Sequence, residues 1–399
     1  MQKCKEKPAI SFAGRIYATD GDVLSFDANL LSAEPIGDGT FAVTLDRTAF
    51  FPGGGGQNPD DGWLTAGGVR VRVLSAKEEN GTVVHITDAP LPSGAVRGEV
   101  NPETRLPRMQ HHTGEHILSG VIHKLYGFDN VGFHLGEDVV TVDTSGEMTP
   151  EMLAEAERLA NEIVFDDRPV IVSFPTPEEL ARIDYRSKME LSGEVRLVSI
   201  PDADTCACCA PHCRTTGAVG LIKIVDAMRY KGGMRLSILS GRDAVAAFSA
   251  SIAREKELSK LLSAPPAEHA AAVARLLGEA EALRFSLRGL LRDAMLASAA
   301  AEPETDGDIL LCRPDADTEA MRLFADEAAK KCRMAVALSG TEGAYRYVIA
   351  SEKVDLRAAA REINAALGGR GGGRDTMISG TFASTLSQIK SYFRLRGEE

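Results

Sequence analysis

No apolar run in this sequence approaches the ~18 consecutive residues that a membrane-spanning helix needs. The opening stretch, MQKCKEKPAISF, carries charge but no apolar centre, so it does not read as a secretory leader. Cysteine is sparse and its count is odd: seven in all, four of them crowded between 206 and 213. That distribution does not suit a disulfide framework, whereas clustered Cys and His suit metal binding in a reducing compartment, and a cytoplasmic location is expected. Positive charge is also in deficit, 45 Lys and Arg against 57 Asp and Glu, for a net charge of −12. Such a balance argues against non-specific nucleic-acid binding by the whole surface and leaves room for local basic patches. Candidates are Arg182, Arg186 and Lys188; Arg229, Lys231 and Arg235; and, near the C-terminus, Arg370, Arg374, Lys390, Arg394 and Arg396. No segment repeats another.

What is present is an ordinary globular composition of 399 residues, 44% hydrophobic, enough for two to four domains. The expected class is α+β and multidomain. Residues 1–104 alternate apolar and polar side chains (Val69, Val71, Val73; Phe41, Val43, Leu45) between Gly/Pro-rich turns, and a small β-barrel is the natural closure. Residues 105–242 mix a helix from about Arg108 to Leu125, a helix opened by Pro150, and strands at 170–174, 195–200, 220–225 and 235–240. Residues 243–300 read as helix broken at Pro265-Pro266. There Val273, Leu276, Ala280, Leu283, Leu287, Leu290 and Ala294 form a coiled-coil-like seam that asks for a partner helix, from an αα-hairpin or a second subunit. Residues 301–399 form a further α/β unit with a glycine-dense loop at 368–375.

Two short clusters carry chemistry. His112 and His116, in RMQHHTGEHILSG, sit one helical turn apart and share a face. Cys208 and His212, in DTCACCAPHCRTTG, bracket a tight turn. Three imidazoles and a thiolate suit tetrahedral Zn2+, one ion per chain. Cys206, Cys209 or Cys213 could each replace Cys208; the bend through Ala210-Pro211 favours Cys208. The HExxH peptidase pattern is not met, because Thr113 follows the first histidine and Glu115 immediately precedes the second. Four protein ligands ordinarily close a structural site, so a structural or a catalytic ion both remain open from the residues alone.

Together these motifs resemble the alanyl-tRNA editing family, the free-standing AlaX proteins related to the editing domain of alanyl-tRNA synthetase. The resemblance rests on His112-Thr113-Gly114-Glu115-His116, on Cys208 to His212 followed by Thr216-Gly217, and on the glycine-rich run LDRTAFFPGGGGQNPDDGWL at 45–64. The last hundred residues, with GGRGGGRD, resemble the small domain shared by alanyl-tRNA synthetases and DHH-type phosphoesterases. The order is that of the long AlaX form. Three departures stand out: Phe51 and Gly53 where the family has Tyr and Glu, His134 where synthetase editing domains often have Gln, and Cys-Ala-Pro after Cys208 where many relatives have Gly-Gly-Thr.

The resemblance implies hydrolysis of the ester in mischarged Ser-tRNA(Ala) or Gly-tRNA(Ala). An alanine pocket discriminates poorly against a missing methyl or an added hydroxyl, so a second sieve is needed. It implies His112, His116, Cys208 and His212 as zinc ligands acting in catalysis through the ion. Thr48, Gln57, Thr113 and His134 are expected substrate contacts. Arg370, Gly371, Gly372, Gly373 and Arg374 are expected tRNA contacts, and tRNA(Ala) and a second copy of the chain are the expected partners. A non-catalytic tRNA-binding module with structural zinc is the alternative. A DHH-type phosphoesterase is disfavoured because no Asp-His-His motif occurs. The stretch before the editing motifs is too short for an aminoacylating domain, so ATP use is not expected.

Overall fold

The computed structural model describes residues 12–136, 139–187 and 193–393. Lys188, Arg394 and Arg396 of the basic clusters lie outside these residues. Two compact units form, 1–254 and 255–399. The fold is mixed α+β, with a six-stranded barrel at the N-terminal end and an α/β region at the C-terminal end.

In the first unit a single turn, α1 (Ile16–Thr19), precedes the barrel strands β1 (Ser25–Gly37), β2 (Thr40–Leu45), β3 (Gly62–Ala66), β4 (Val69–Glu79), β5 (Thr82–Thr87) and β6 (Ala95–Val100). They close in the order β1-β2-β5-β4-β3-β6 with every pair antiparallel. The alternation seen in sequence has its physical cause here, since Val43, Leu45, Val71 and Val73 point into the barrel core. Arg105 enters from the next helix and forms a fully buried ion pair with Asp60.

That helix, α2 (Pro102–Tyr126), begins six residues before the expected start. Asn101 caps it by accepting from the Glu103 N–H at 3.1 Å, and Pro102 takes the first-turn position, where no N–H is needed. Pro107 lies within the helix and does not end it. Gly127, in the left-handed region, closes it. Helix α2 packs against α3 (Pro150–Phe165) and two antiparallel sheets. One sheet runs β12 (Ile222–Tyr230), β13 (Gly233–Ser240), β8 (Val140–Thr144), β7 (Asn130–Leu135). The other runs β11 (Asp204–Ala207), β10 (Leu197–Ile200), β9 (Ile171–Ser173), with the one-turn α4 (Pro177–Leu180) between β9 and β10. Ile117, Leu118, Val121 and Ile122 of α2 meet Ala156, Ala160, Leu236 and Ile238 in one core. Gly120 permits this packing, because a Cβ there would fall 2.4 Å from the Ala203 carbonyl oxygen beside β11.

Helix α5 (Gly241–Leu262) and the long α6 (His269–Ala301) flank a break at the two prolines. Leu283, Leu287 and Leu290 of the α6 seam are exposed. The second unit's sheet has the order β14 (Ile309–Cys312), β15 (Ala335–Thr341), β16 (Ala344–Ala350), β18 (Met377–Phe382), β17 (Arg370–Gly373), with only β14 and β15 parallel. Helix α7 (Thr318–Ala329) covers one face, packing Phe324 on Ala335, Ala337 and Val348. Helices α8 (Leu356–Ala366) and α9 (Leu386–Tyr392) cover the other, packing Leu356, Ile363 and Ile389 on Val336, Leu338 and Ile349.

The glycine-dense loop expected at 368–375 is corrected here. Half of it, Arg370–Gly373, is the edge strand β17, paired residue for residue with β18. Glycine serves close packing there, since a Cβ on Gly371 would fall 2.5 Å from the Tyr347 hydroxyl. Among the described residues no helix is long and apolar enough to cross a membrane.

Candidate metal centre

Helix α2 carries His112 and His116 on its inward face, and the turn after β11 brings Cys208 and His212 against them. The four ligand atoms lie within 4.8 Å of one another. Cys208 Sγ is 3.5 Å from His112 Nε2 and 3.3 Å from His212 Nε2. Zn–S and Zn–N bonds of ~2.3 and ~2.0–2.1 Å in a tetrahedron require S···N edges of ~3.5 Å, so the donor set fits such an ion. Cys206, Cys209 and Cys213 are outside this group, although Cys206 forms a second cluster with His116 and Asp204.

Each histidine keeps its other nitrogen occupied. His112 Nδ1 donates to Gln57 Oε1 (2.8 Å), and His116 Nδ1 donates to Asp204 Oδ2 (2.9 Å). His212 Nδ1 lies 3.1 Å from Thr113 Oγ1, which also accepts from the Cys213 N–H at 3.0 Å. Outer partners of this kind fix tautomer and ring orientation in metal sites. All three rings are buried. Burial opposes a thiolate at Cys208, yet the charges of His112 and His212, with hydrogen bonds from His112 and His116, hold the thiol well below its ordinary range. Burial pushes His212 down to about 3, against the opposing pull of Cys208. A bound ion would need a thiolate and neutral imidazoles here, displacing the proton that bonds to Asp204 and Cys208 favour on His116.

The expected substrate contacts divide. Gln57 reaches the centre as the partner of His112, and Thr113 as the partner of His212. Thr48 lies in the barrel: its hydroxyl is buried, 2.8 Å from His85 Nε2, and accepts from the Phe50 N–H at 3.0 Å. His134 lies on a different face. Strand alternation turns the ring of Phe133 toward His112, at 4.8 Å between centroids, and leaves His134 exposed on the other face of β7. Arg370 and Gly371 to Gly373 lie exposed on β17, with Arg374 exposed beside them, all in the second unit.

A cavity of about 210 Å³ adjoins the centre, lined by His112, His116, Cys208, Glu115, Arg186 and Glu194 among others. Sequence reading missed three residues of this region: Asp204, Glu115 and Arg186 as a cavity residue. Asp204 joins Arg186 to the centre, for its Oδ1 accepts from Arg186 Nε at 2.8 Å while its Oδ2 holds His116. Contacts made across such sequence distances leave no local spacing to read.

Comparison with known proteins agrees with this architecture. Residues 195–241 match the threonyl and alanyl tRNA synthetase second additional domain, and residues 306–393 match the DHHA1 domain. The chain is 28% identical to alanyl-tRNA editing protein AlaX-L of Pyrococcus horikoshii, over 94% of this chain and 96% of that protein. It is 28% identical to alanyl-tRNA editing protein Aarsd1 of Mus musculus, over 85% and 84%. Against the alanine–tRNA ligase of Pyrococcus abyssi identity is 32%, over 92% of this chain but 41% of the ligase. The class is thus that of proteins joining a synthetase accessory domain to a DHHA1 domain. Within it, the chain is similar over almost its whole length to proteins named as alanyl-tRNA editing proteins, an AlaX-L among them.

Proposed function

We propose that the chain is a zinc-dependent deacylase that acts in trans on mischarged tRNA(Ala), with Ser-tRNA(Ala) as main substrate and Gly-tRNA(Ala) as a second. The observation that carries this reading is the convergence of three imidazole Nε2 atoms and the Cys208 sulfur on one buried point beside a cavity. The relatives named as alanyl-tRNA editing proteins support it. Zinc held by His112, His116, Cys208 and His212 supplies Lewis acidity toward the ester carbonyl or a water. The chain's own residues do the rest: Gln57, Asp204 and Thr113 fix the imidazoles, and the cavity receives the aminoacyl end.

In this proposal the division expected from sequence gains roles. Residues 1–104 and 105–242 form the editing half, 243–300 an arm, and 301–399 a tRNA-gripping domain through Arg370, Gly371 to Gly373 and Arg374. The exposed leucines of α6 suit pairing with a second copy. The proposed compartment is the cytoplasm, where translation supplies the substrate. The count of four protein ligands favours one other reading, a tRNA-binding module with a structural ion.

The deciding experiment measures deacylation of Ser-tRNA(Ala), Gly-tRNA(Ala) and Ala-tRNA(Ala) by wild type and His116→Ala, with metal content determined for both. Loss of the mischarged esters, sparing of Ala-tRNA(Ala) and an inactive, metal-poor variant are expected. Survival of every ester while tRNA still binds would establish the binding module instead.

A further inference from the structure

Three arginines are buried among the described residues: Arg15, Arg105 and Arg196. A guanidinium stays charged at neutral pH, and a buried charge calls for an anionic partner. Arg15 has one in Glu78, at 2.8 Å, and Arg105 has one in Asp60. Arg196, at 3% exposure, has none. Burial lowers its pKa against the opposing pull of Cys208, Cys209 and Tyr17, with no carboxylate among the causes. Its Nε donates to the Ala18 carbonyl at 2.6 Å, and its Nη1 to the Cys208 carbonyl at 2.5 Å. The Arg196 carbonyl in turn accepts the Cys208 N–H at 3.2 Å, so the side chain is locked beside a ligand of the centre. Nη2 has no hydrogen-bond partner among the described residues and is not sealed from solvent. Arg196 lines the 210 Å³ cavity, which leaves that nitrogen to whatever enters there. Two other charged groups on this wall are engaged elsewhere: Arg186 with Asp204 at 2.8 Å, and Glu194 with the Phe12 N–H at 3.0 Å.

The aminoacylated end of a tRNA has few charges. The amino acid brings an ammonium, while the ester, ribose and bases are neutral. Negative charge lies on the phosphodiesters alone, and the one nearest the ester joins the last two nucleotides. From these observations, and resting on the deacylase reading above, we infer that Arg196 Nη2 binds that phosphodiester. The contact is a charge-assisted N–H···O bond of ~2.7–2.9 Å, strengthened by the low dielectric of a buried site. Its consequence is a selectivity unrelated to the amino-acid side chain. A free amino-acid ester has no phosphate at that distance, leaves Nη2 unpaired and is a poor substrate.

The test replaces the last internucleotide phosphodiester of Ser-tRNA(Ala) with an uncharged methylphosphonate and uses the full-length metal-loaded protein. Wild type is expected to prefer the natural linkage by about ten- to a hundredfold in kcat/KM, the range of one hydrogen bond to a charged group. R196Q is expected to retain its metal and to hydrolyse the two esters at nearly equal rates. Loss on both esters alike reports the missing bonds to Ala18 and Cys208, whereas the ratio between esters reports the phosphate. Should R196Q fold poorly, R196K retains the charge and is expected to keep the preference in reduced form. Equal rates on both esters in wild type, or an undiminished preference in R196Q, overturn the inference and leave the deacylase reading intact. Hydrolysis of neither ester by wild type overturns both.

Discussion

The two units bury different things. In the second, the interior is alanine, aliphatic and aromatic, and Asp308, Ser339 and Ser351 are its buried polar residues among those described. In the first, His85, Arg105 with Asp60, Gln57, Thr113, Glu115, Asp204 and the ligand histidines all lie inside. Burying a polar group costs free energy unless a hydrogen bond offsets it, and a fully connected network specifies one arrangement. The first unit carries that cost where its chemistry sits, and the second gains its stability from packing.

The largest expected effect that tests this contrast is Phe324→Ala. The ring is fully buried between α7 and the sheet, and its removal should destabilise the second unit by about 3–5 kcal/mol. Trp63, the only tryptophan, lies on β3 of the barrel and reports on the first unit separately. Calorimetry should show one transition lowered while the midpoint followed by Trp63 fluorescence stays in place. Movement of both would show that the units melt together.

Next comes acid. His85 is buried in the barrel, and burial pushes its pKa from 6.5 to about 4, partly opposed by its bond to the Val43 carbonyl. The unfolded chain takes up a proton near pH 6.5 that the folded barrel refuses. Stability contributed by neutral His85 is therefore complete above pH 6.5 and lost as pH falls from 6.5 through 4, by about 3 kcal/mol in all. Urea titrations read by Trp63 should show that slope, and His85→Gln should remove it. An unchanged slope in the variant would assign the acid sensitivity elsewhere.

The smallest effect is expected from Asp204→Asn. The change weakens one bond to His116 Nδ1 and one to Arg186, and about a 10–100-fold loss of metal affinity follows from outer-partner substitutions of this kind. Competition against a chelator measures it. Unchanged affinity would make Asp204 a merely structural acid.

Legibility in sequence followed range. His112 and His116 could be paired from spacing alone because one helical turn fixes their relation. The alternation of Val71 with Val73 announced the barrel for the same reason. Gln57 could be found only as part of a glycine-rich stretch, and its bond to His112 depends on barrel closure. Asp204 had no signal, since its partners lie on α2 and at Arg186. Glycine's weak strand preference disguised β17, which exists because β18 offers an edge and Gly371 lets the backbones meet.

The link between α2 and the turn at Cys208 to His212 also has a topological meaning. An ion shared by His116 and Cys208 closes a loop of roughly ninety residues, as a disulfide would. Chain-entropy reasoning gives such a closure on the order of 4–5 kcal/mol through the unfolded state alone. The α3 helix and the three-stranded sheet lie within that loop, so metal capture would fasten the ends of the segment that builds the pocket.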